Sequence, residues 1–169
     1  NPDPSDGQMH DNTWATLSWS PGDLAVSHDL YIGTDFDDVN NGAEGAFAVN
    51  TDVTLQIIGF PGSPVPEGLQ AGRTYYWRID EVNEVDPNSP WKGPVWSFSI
   101  PAKTAYNPDP PDGAEFVDPN ATFSWTPGFD AKVHTVYIGT NFDDVNDAAG
   151  GVPQAAATFK PAPLELEKV

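Results

Sequence analysis

Short stretches in which apolar and polar residues alternate recur along the first hundred positions, with turn-forming residues between them. Residues 13–19 (TWATLSW) place Ala15, Leu17 and Trp19 on one face, and residues 28–33 (HDLYIG) alternate in the same way. Three further stretches of this kind are residues 52–59, 74–83 and 93–100. A period of two residues predicts β-strands, and no window of twelve residues carries a helical period. The pattern therefore predicts an all-β protein built as an antiparallel β-sandwich.

The sequence also contains an internal repeat. Residues 1–40 and 107–146 align without a gap and share 23 identical residues in 40 positions, at an offset of 106. This period is too long for a solenoid unit of about 20–50 residues and suits whole domains of about 100 residues. We therefore predict two tandem domains, residues 1–102 and residues 103–169.

The second copy is expected to be incomplete at its C-terminus. The repeat breaks off just before the counterpart of Tyr75, so the last two strands of the first copy have no equivalent. The strand at residues 134–139 would then have an open edge and an apolar face, which invites pairing with another chain. One interpretation is that the protein assembles with other copies into polymers or filaments by strand complementation. The alternative is that the remainder of a longer parent chain is not included.

Charge and composition restrict the partners. The formal net charge is −18, from 25 acidic and 7 basic residues. Nucleic acids and anionic membranes are bound through Lys and Arg, so neither is an expected partner. No stretch approaches the roughly 20 apolar residues of a membrane-spanning helix, so no membrane insertion is expected. The chain has no cysteine, which excludes disulfides and thiolate chemistry.

The segment from Leu69 to Asn83, LQAGRTYYWRIDEVN, resembles the E–F corner of fibronectin type III domains. A Leu precedes a Tyr by six residues, a Gly-bearing turn lies between them, and an alternating strand follows. The Trp of the second strand, Trp19 in the first copy and Trp125 in the second, fits the same family. The resemblance implies two fibronectin type III-like sandwiches, with Tyr75 as the corner tyrosine that bonds to upstream backbone.

The wider pattern, NPxPxDG…LSWxPG…HxxYIGT…YYWRxDEVN…WSF, is similar to fibronectin-like repeats in large secreted and cell-surface proteins of environmental bacteria. It implies an extracellular or cell-surface location and a non-enzymatic structural or adhesive module. The implied partners are other copies of the chain or neighbouring domains of a larger chain.

Alternation along residues 75–81 assigns side chains to the two faces of that strand. Trp77 and Ile79 are expected to point inward as structural core residues. By the same alternation Tyr76, Arg78 and Asp80 are expected to point outward. Glu81 falls on the inward face beside His28 of the neighbouring strand, and a buried carboxylate needs a partner. A structural Glu81–His28 contact is therefore expected, with a functional site as the alternative.

The repeated acidic turns suggest a metal site. Their oxygen-bearing side chains are Asp35, Asp37, Asp38 and Asn40 in the first copy and Asn141, Asp143, Asp144 and Asn146 in the second. Such oxygens suit Ca²⁺, although the turns lack the Gly and distal Glu of an EF-hand. The competing interpretation is a short helical turn opened by a capping box of Thr34 and Asp37, with acidic residues favoured in its first turn.

Two aromatic residues are candidates for carbohydrate binding. Trp14 has Asn120 as its counterpart, so the fold does not demand an aromatic there, and Trp91 lies in a loop. Exposed Trp faces can stack on sugar rings, which makes a carbohydrate-binding accessory module of a secreted polysaccharide-degrading enzyme the alternative function. Glycans would then be the partner.

Catalytic motifs are absent from the sequence. His28 and His134 occupy the same repeat position, and neither nucleophile-elbow nor metalloprotease spacing occurs. We therefore expect no enzymatic activity, and no cofactor apart from Ca²⁺.

Overall fold

The computed structural model of the protein describes residues 1–164. Strands contain 33% of the residues and helices 9%, so the fold is all-β, as the alternation predicted. The chain divides into two compact units, Asn1–Pro101 (unit 1) and Ala102–Val169 (unit 2). Neither of the helices in the described range is long and apolar enough to cross a lipid bilayer.

Unit 1 contains seven strands and one short α-helix. The strands are β1 (Gln8–Met9), β2 (Ala15–Ser18), β3 (Ser27–Gly33), β4 (Phe47–Thr51), β5 (Leu55–Ile58), β6 (Thr74–Val82) and β7 (Val95–Ser99). Helix α1 (Phe36–Asn41) and a 3₁₀ turn (Glu44–Ala46) lie between β3 and β4.

The strands of unit 1 form two sheets. The larger has the order β1-β7-β6-β3-β4, and the smaller pairs β2 with β5. All pairs are antiparallel except β1 with β7. Strand β6 is central because it is hydrogen-bonded to β3 on one edge and to β7 on the other.

The core of unit 1 is made of the inward side chains of both sheets. Leu17 and Ile58 of the smaller sheet and Leu30, Trp77 and Phe98 of the larger sheet are completely buried. Alternation places these residues on one side of each strand, and burial of their apolar area drives the two layers together. The arrangement is sandwich-like, and Trp19 also belongs to the core.

Helix α1 begins and ends at residues with recognisable capping roles. The Asp35 side chain accepts hydrogen bonds from the amides of Asp37 and Asp38. The expected Thr34 capping box is therefore wrong, because Asp35 lies at the N-cap and satisfies the free amides itself. Gly42 ends the helix in the left-handed region (φ +67°), where glycine carries no Cβ penalty.

Unit 2 repeats part of this arrangement. Its elements are β8 (Tyr106–Asp109), β9 (Phe123–Thr126), β10 (His134–Val136), α2 (Phe142–Asn146), β11 (Val152–Gln154) and β12 (Thr158–Phe159). They form one sheet of order β12-β9-β8 and a second of β10 with β11. Helix α2 is N-capped by the Asn141 side chain, the counterpart of Asp35.

Candidate functional site

The outer face of β6 carries a buried ion pair. Arg78 Nε and Nη2 donate to the Asp80 carboxylate at 2.8 Å each, a bidentate contact, and both residues are almost fully buried. Arg78 Nη1 also donates to the carbonyl oxygens of Val39 and Asn40 at the end of α1. A guanidinium satisfies the free carbonyls and the negative dipole end of a helix C-terminus.

Arg78 and Asp80 lie on the face opposite Trp77, as the alternation predicted. That face is buried rather than exposed to solvent, because α1 folds over it and covers it. Tyr76, the third residue of the set, is half-buried and packs edge-on against Phe36 of α1, with ring centroids 5.7 Å apart. Alternation assigns each side chain to one of the two faces of a strand. It does not predict whether another element of the fold, such as α1, covers the outer face.

Tyr31 of β3, which is half-buried, completes this network. Its ring lies under the Arg78 guanidinium, 4.4 Å from the centroid. Burial raises the pKa of the Tyr31 hydroxyl, and the nearby Asp29 and Asp80 carboxylates raise it further, although Arg78 opposes them. The network is a cation–π and ion-pair assembly that fixes α1 on the sheet.

The inward end of β6 carries the contact expected from the sequence. Glu81 lies opposite His28, and Glu81 Oε2 accepts a hydrogen bond from His28 Nδ1 over 2.5 Å. Glu81 Oε1 accepts from the Gly22 amide at 3.0 Å. The Trp19 ring packs edge-on against His28 at 5.4 Å. Both carboxylate oxygens of Glu81 are thus engaged, which favours the structural interpretation of this pair.

The expected corner contact is present at the start of β6. Tyr75 is buried, and its hydroxyl oxygen accepts a hydrogen bond from the Gln70 amide at 2.9 Å. Its ring stacks on Phe98 at 5.6 Å. The bond ties the turn before β6 to the core.

Trp91 forms a wall of a surface cleft. It is half-buried, and its backbone exchanges two hydrogen bonds with Glu81. The cleft has a volume of about 410 Å³, and its remaining walls are Gly22, Asp23, Leu24, Ala25, Glu81, Asp86 and Asn88. An aromatic ring beside carboxylate and amide groups is a combination suited to a polyhydroxylated ligand. We call this feature the Trp91 cleft.

Trp14 lies elsewhere. It is 49% exposed and precedes β2 beside Gly59, at the end of unit 1 where Leu69 bonds to Thr13. Leu69 is next to the corner at Tyr75, whereas Trp91 pairs with Glu81, six residues further along β6. At about 3.3 Å per residue, the strand from Tyr75 to Glu81 spans roughly 20 Å. The two tryptophans do not converge on one site.

The acidic turns are short helices, as one of the two interpretations predicted. Their N-cap side chains, Asp35 and Asn141, accept from two backbone amides each. Asn40 Oδ1 accepts from Lys92 Nζ at 2.9 Å. Among the residues that the structure describes, no cluster of three or more His, Asp or Glu side chains is arranged to hold a metal ion.

In unit 2, Trp125 is half-buried and meets His134 edge-on at 5.3 Å, which repeats the Trp19–His28 contact. It lines an open groove of about 600 Å³ together with Phe123, His134, Val136 and Ile138. We call this feature the β10 groove.

Comparison with known proteins found no family model that matches the chain and no curated protein that matches it.

Proposed function

We propose that the chain is a non-enzymatic, extracellular structural or adhesive module, built as a tandem of fibronectin type III-like β-sandwiches. The observation that carries the proposal is that the buried polar side chains of unit 1 are hydrogen-bonded to one another, to Glu81 or to α1. His28 is bonded to Glu81, and Arg78 is bonded to Asp80 and to α1. Groups that would serve as acids or bases in an enzyme instead join strands and helix to one another.

Two further features support this proposal. The Tyr75 hydroxyl bonds to the Gln70 amide, which is the contact implied by the fibronectin-like corner. The charge of −18 suits a solvated surface that resists non-specific association.

Surface labelling tests the location. Intact cells that produce the protein are incubated with an antibody raised against unit 1, and with an antibody against a cytosolic protein as the control. We expect labelling by the first antibody alone, and loss of that signal after brief protease treatment. Signal that appears only after lysis contradicts an extracellular role.

A second function is favoured by the Trp91 cleft, namely binding of a soluble or insoluble polysaccharide. The cleft offers one aromatic wall and hydrogen-bonding groups on Asp23, Asp86 and Asn88. Stacking on the ring, with directional hydrogen bonds around it, is the way in which a shallow cleft would hold a sugar.

Affinity electrophoresis in gels that contain candidate polysaccharides tests this function. Retardation that is abolished by Trp91→Ala and by Asn88→Ala, and kept by Trp14→Ala, supports the site. Trp14→Ala is a matched control because it removes an exposed Trp remote from the cleft. Retardation that Trp14→Ala abolishes assigns any binding to the other end of unit 1, and mobility unchanged in every gel contradicts carbohydrate binding.

A further inference from the structure

Strand β10 in unit 2 has a partner on one edge, whereas its counterpart in unit 1 has partners on both. Strand β3 is hydrogen-bonded to β4 and, through seven residue pairs from Ser27–Val82 to Gly33–Tyr76, to β6. Strand β10 is paired with β11 alone, and no strand within residues 1–164 occupies its other edge. An unpaired edge presents amides and carbonyls that are ready to accept another strand.

The side chains beside this edge are more exposed in unit 2 than their counterparts are in unit 1. Ile138 is 44% exposed and its counterpart Ile32 only 7%. Phe142 of α2 is 79% exposed, against 46% for Phe36, which packs on Tyr76 of β6. The same residues have thus lost the cover that β6 provides in unit 1. Of these residues, Ile138 lines the β10 groove.

The polar groups around the groove specify what would fill it. His134 repeats His28, whose partner in unit 1 is the Glu81 carboxylate. Within the described residues, His134 makes no hydrogen bond to a carboxylate. An acidic side chain is therefore expected opposite His134.

A second polar requirement comes from Tyr137 and the end of α2. In unit 1, Arg78 lies over the ring of Tyr31 and bonds to the carbonyls of Val39 and Asn40. The equivalent ring is Tyr137, and the equivalent carbonyls belong to Val145 and Asn146. In the part of the chain that the structure describes, neither carbonyl accepts a hydrogen bond from a side chain. A guanidinium opposite Tyr137 would satisfy both.

We propose that the β10 groove is an acceptor site for an extended segment of the β6 type, which binds antiparallel to β10. In the register of unit 1 the segment presents an acid to His134, an aliphatic residue to Val136, an arginine to Tyr137 and a tryptophan to Ile138. The proposal deepens the structural module proposed above and rests on it, because it names the partner through which such a module would be joined to others.

The occupant is a further β6-type segment from outside the 169 residues. The pattern YYWRIDE occurs once in the sequence, in β6 itself. That strand is hydrogen-bonded on both edges inside unit 1 and its Trp77 is fully buried, so a second copy cannot offer its β6 without unfolding unit 1.

Amide hydrogen exchange on the 169-residue protein tests the proposal, with a synthetic peptide of residues 74–83 (TYYWRIDEVN) that carries a solubilising tag. Fluorescence anisotropy with a labelled peptide gives Kd. At about ten times Kd, roughly nine-tenths of the protein has peptide bound. We therefore expect the exchange of those amides of residues 134–138 that point to the open edge to slow about tenfold, because alternate amides of a strand point to opposite edges. Residues 28–32 of unit 1 already have a partner and should not change.

Two control peptides test the register and the arginine. Exchanging Trp77 with Arg78 and Ile79 with Asp80 in the peptide keeps its composition but turns the apolar residues to the other face, and this peptide should not bind. An Arg78→Ala peptide should bind about tenfold more weakly, since it loses charged hydrogen bonds to α2.

Two protein variants locate the site. Val136→Asp places a charge in the groove and should abolish binding. Thr135→Asp is the matched control because it adds the same charge where unit 1 carries Asp29 opposite β6, and it should bind normally. If Val136→Asp unfolds unit 2, the Arg78→Ala peptide on the unaltered protein still decides the outcome.

Three results overturn the proposal. They are an absence of protection at residues 134–138, equal protection by the face-exchanged peptide, and slow exchange of β10 without peptide in dimers of the chain, which would place a second copy at the edge. Surface labelling of cells is unaffected by any of these results, so failure of the acceptor site and failure of the extracellular role can be told apart.

Discussion

Arg78 and Asp80, two residues apart on β6, form a bidentate ion pair that lies buried beneath α1. The pair joins three parts of unit 1, because Arg78 reaches the carbonyls at the end of α1 and Asp80 Oδ1 accepts from the Gly93 amide at 3.1 Å. Each nitrogen of the Arg78 guanidinium and each oxygen of the Asp80 carboxylate has a hydrogen-bond partner. The ion pair therefore fixes the position of the helix on the sheet.

Removing Arg78 should destabilise unit 1 severely. Arg78→Ala leaves the Asp80 carboxylate buried without a cation, and loss of one partner of a buried pair typically costs about 3–5 kcal/mol. The free energy of unfolding from urea denaturation measures this. Arg73→Ala is the control, because Arg73 is exposed and its loss should change the free energy by less than about 0.5 kcal/mol.

A double replacement gives a sharper result. Arg78→Met with Asp80→Leu removes both charges together, and we expect it to be less destabilising than Arg78→Ala. Additive costs for the two positions would mean that the ion pair does not act as a unit.

The buried tryptophans should matter far more for stability than the exposed one. Trp77 is fully buried, packs on Trp96 at 4.8 Å and meets Trp19 at 6.5 Å. Trp77→Ala should cost about 3–5 kcal/mol in unfolding free energy. Trp14→Ala, at an exposed position, should stay within about 0.5 kcal/mol.

Trp77→Phe refines this prediction. The indole nitrogens of Trp77 and Trp19 are buried without a hydrogen-bond partner in the structure. Phe keeps most of the apolar area and removes an unsatisfied donor, so the cost should be well below that of Ala. Equal losses for Phe and Ala would show that the indole nitrogen has a stabilising partner.

The sequence pattern predicted the strands of unit 1 where alternation is regular, and it missed them where it is not. Strands β2, β5, β6 and β7 lie within the predicted stretches, and β3 begins one residue earlier than predicted. Strand β4 (FAVNT) was missed because it is an edge strand with a mixed pattern of exposure, and β1 because it has only two residues. Period-two alternation is strongest where one face is buried and the other is solvated.

The inward contacts were predictable and the outward ones were not. The Glu81–His28 bond follows from two strands in register and one buried carboxylate. The burial of Arg78 depends on α1, which is distant in sequence, and a strand pattern carries no information about such a cover. One feature of the sequence did indicate it: Arg78 and Asp80 lie two residues apart on one face of the strand, and two opposite charges that pair can be buried together. The Trp91 cleft is formed largely by loops, which have no periodicity to interpret.

Calcium binding at the acidic turns stays a prediction, and the structure indicates that it should be weak. Asp35 accepts from two amides, while Asn40 offers its side-chain oxygen to Lys92. A calcium ion would have to compete for these oxygens or rely on the exposed Asp37 and Asp38. We expect a Kd of about 10⁻³ M, at the weak end for extracellular modules.

Calorimetric titration with CaCl₂, and melting curves with and without millimolar Ca²⁺, test this affinity. Asp→Asn changes at Asp37 and Asp38, combined with the same changes at Asp143 and Asp144 of the second turn, should remove whatever heat is seen. The same change at the exposed Asp11 and Asp23 should not. A micromolar Kd would mean that the turns rearrange around the ion.

Ionisation of Tyr31 should lower the stability of unit 1 at alkaline pH, and a single substitution at Tyr31 can measure this contribution. Its pKa in the folded protein is raised above the ordinary tyrosine value of 10.0, first by burial and then by Asp29 and Asp80. Above pH 10 the unfolded chain therefore loses this proton before the folded one does, and the unfolded state is favoured. The stabilising contribution is complete below pH 10 and is lost as the pH rises through the folded-state pKa.

Tyr31→Phe keeps the ring beneath Arg78 and removes the ionisable group. The unfolding free energy of this variant should fall less steeply above pH 10 than that of the unaltered protein, and the two slopes should agree at neutral pH. Tyr137→Phe is the matched control in unit 2, where no Arg78 or Asp80 equivalent lies over the ring within the described residues, and it should leave the slope of unit 1 unchanged. Urea denaturation at a series of pH values, followed with the ultraviolet absorbance of tyrosinate, measures both effects. Identical slopes for Tyr31→Phe and the unaltered protein would show that the Tyr31 hydroxyl titrates alike in the folded and unfolded states.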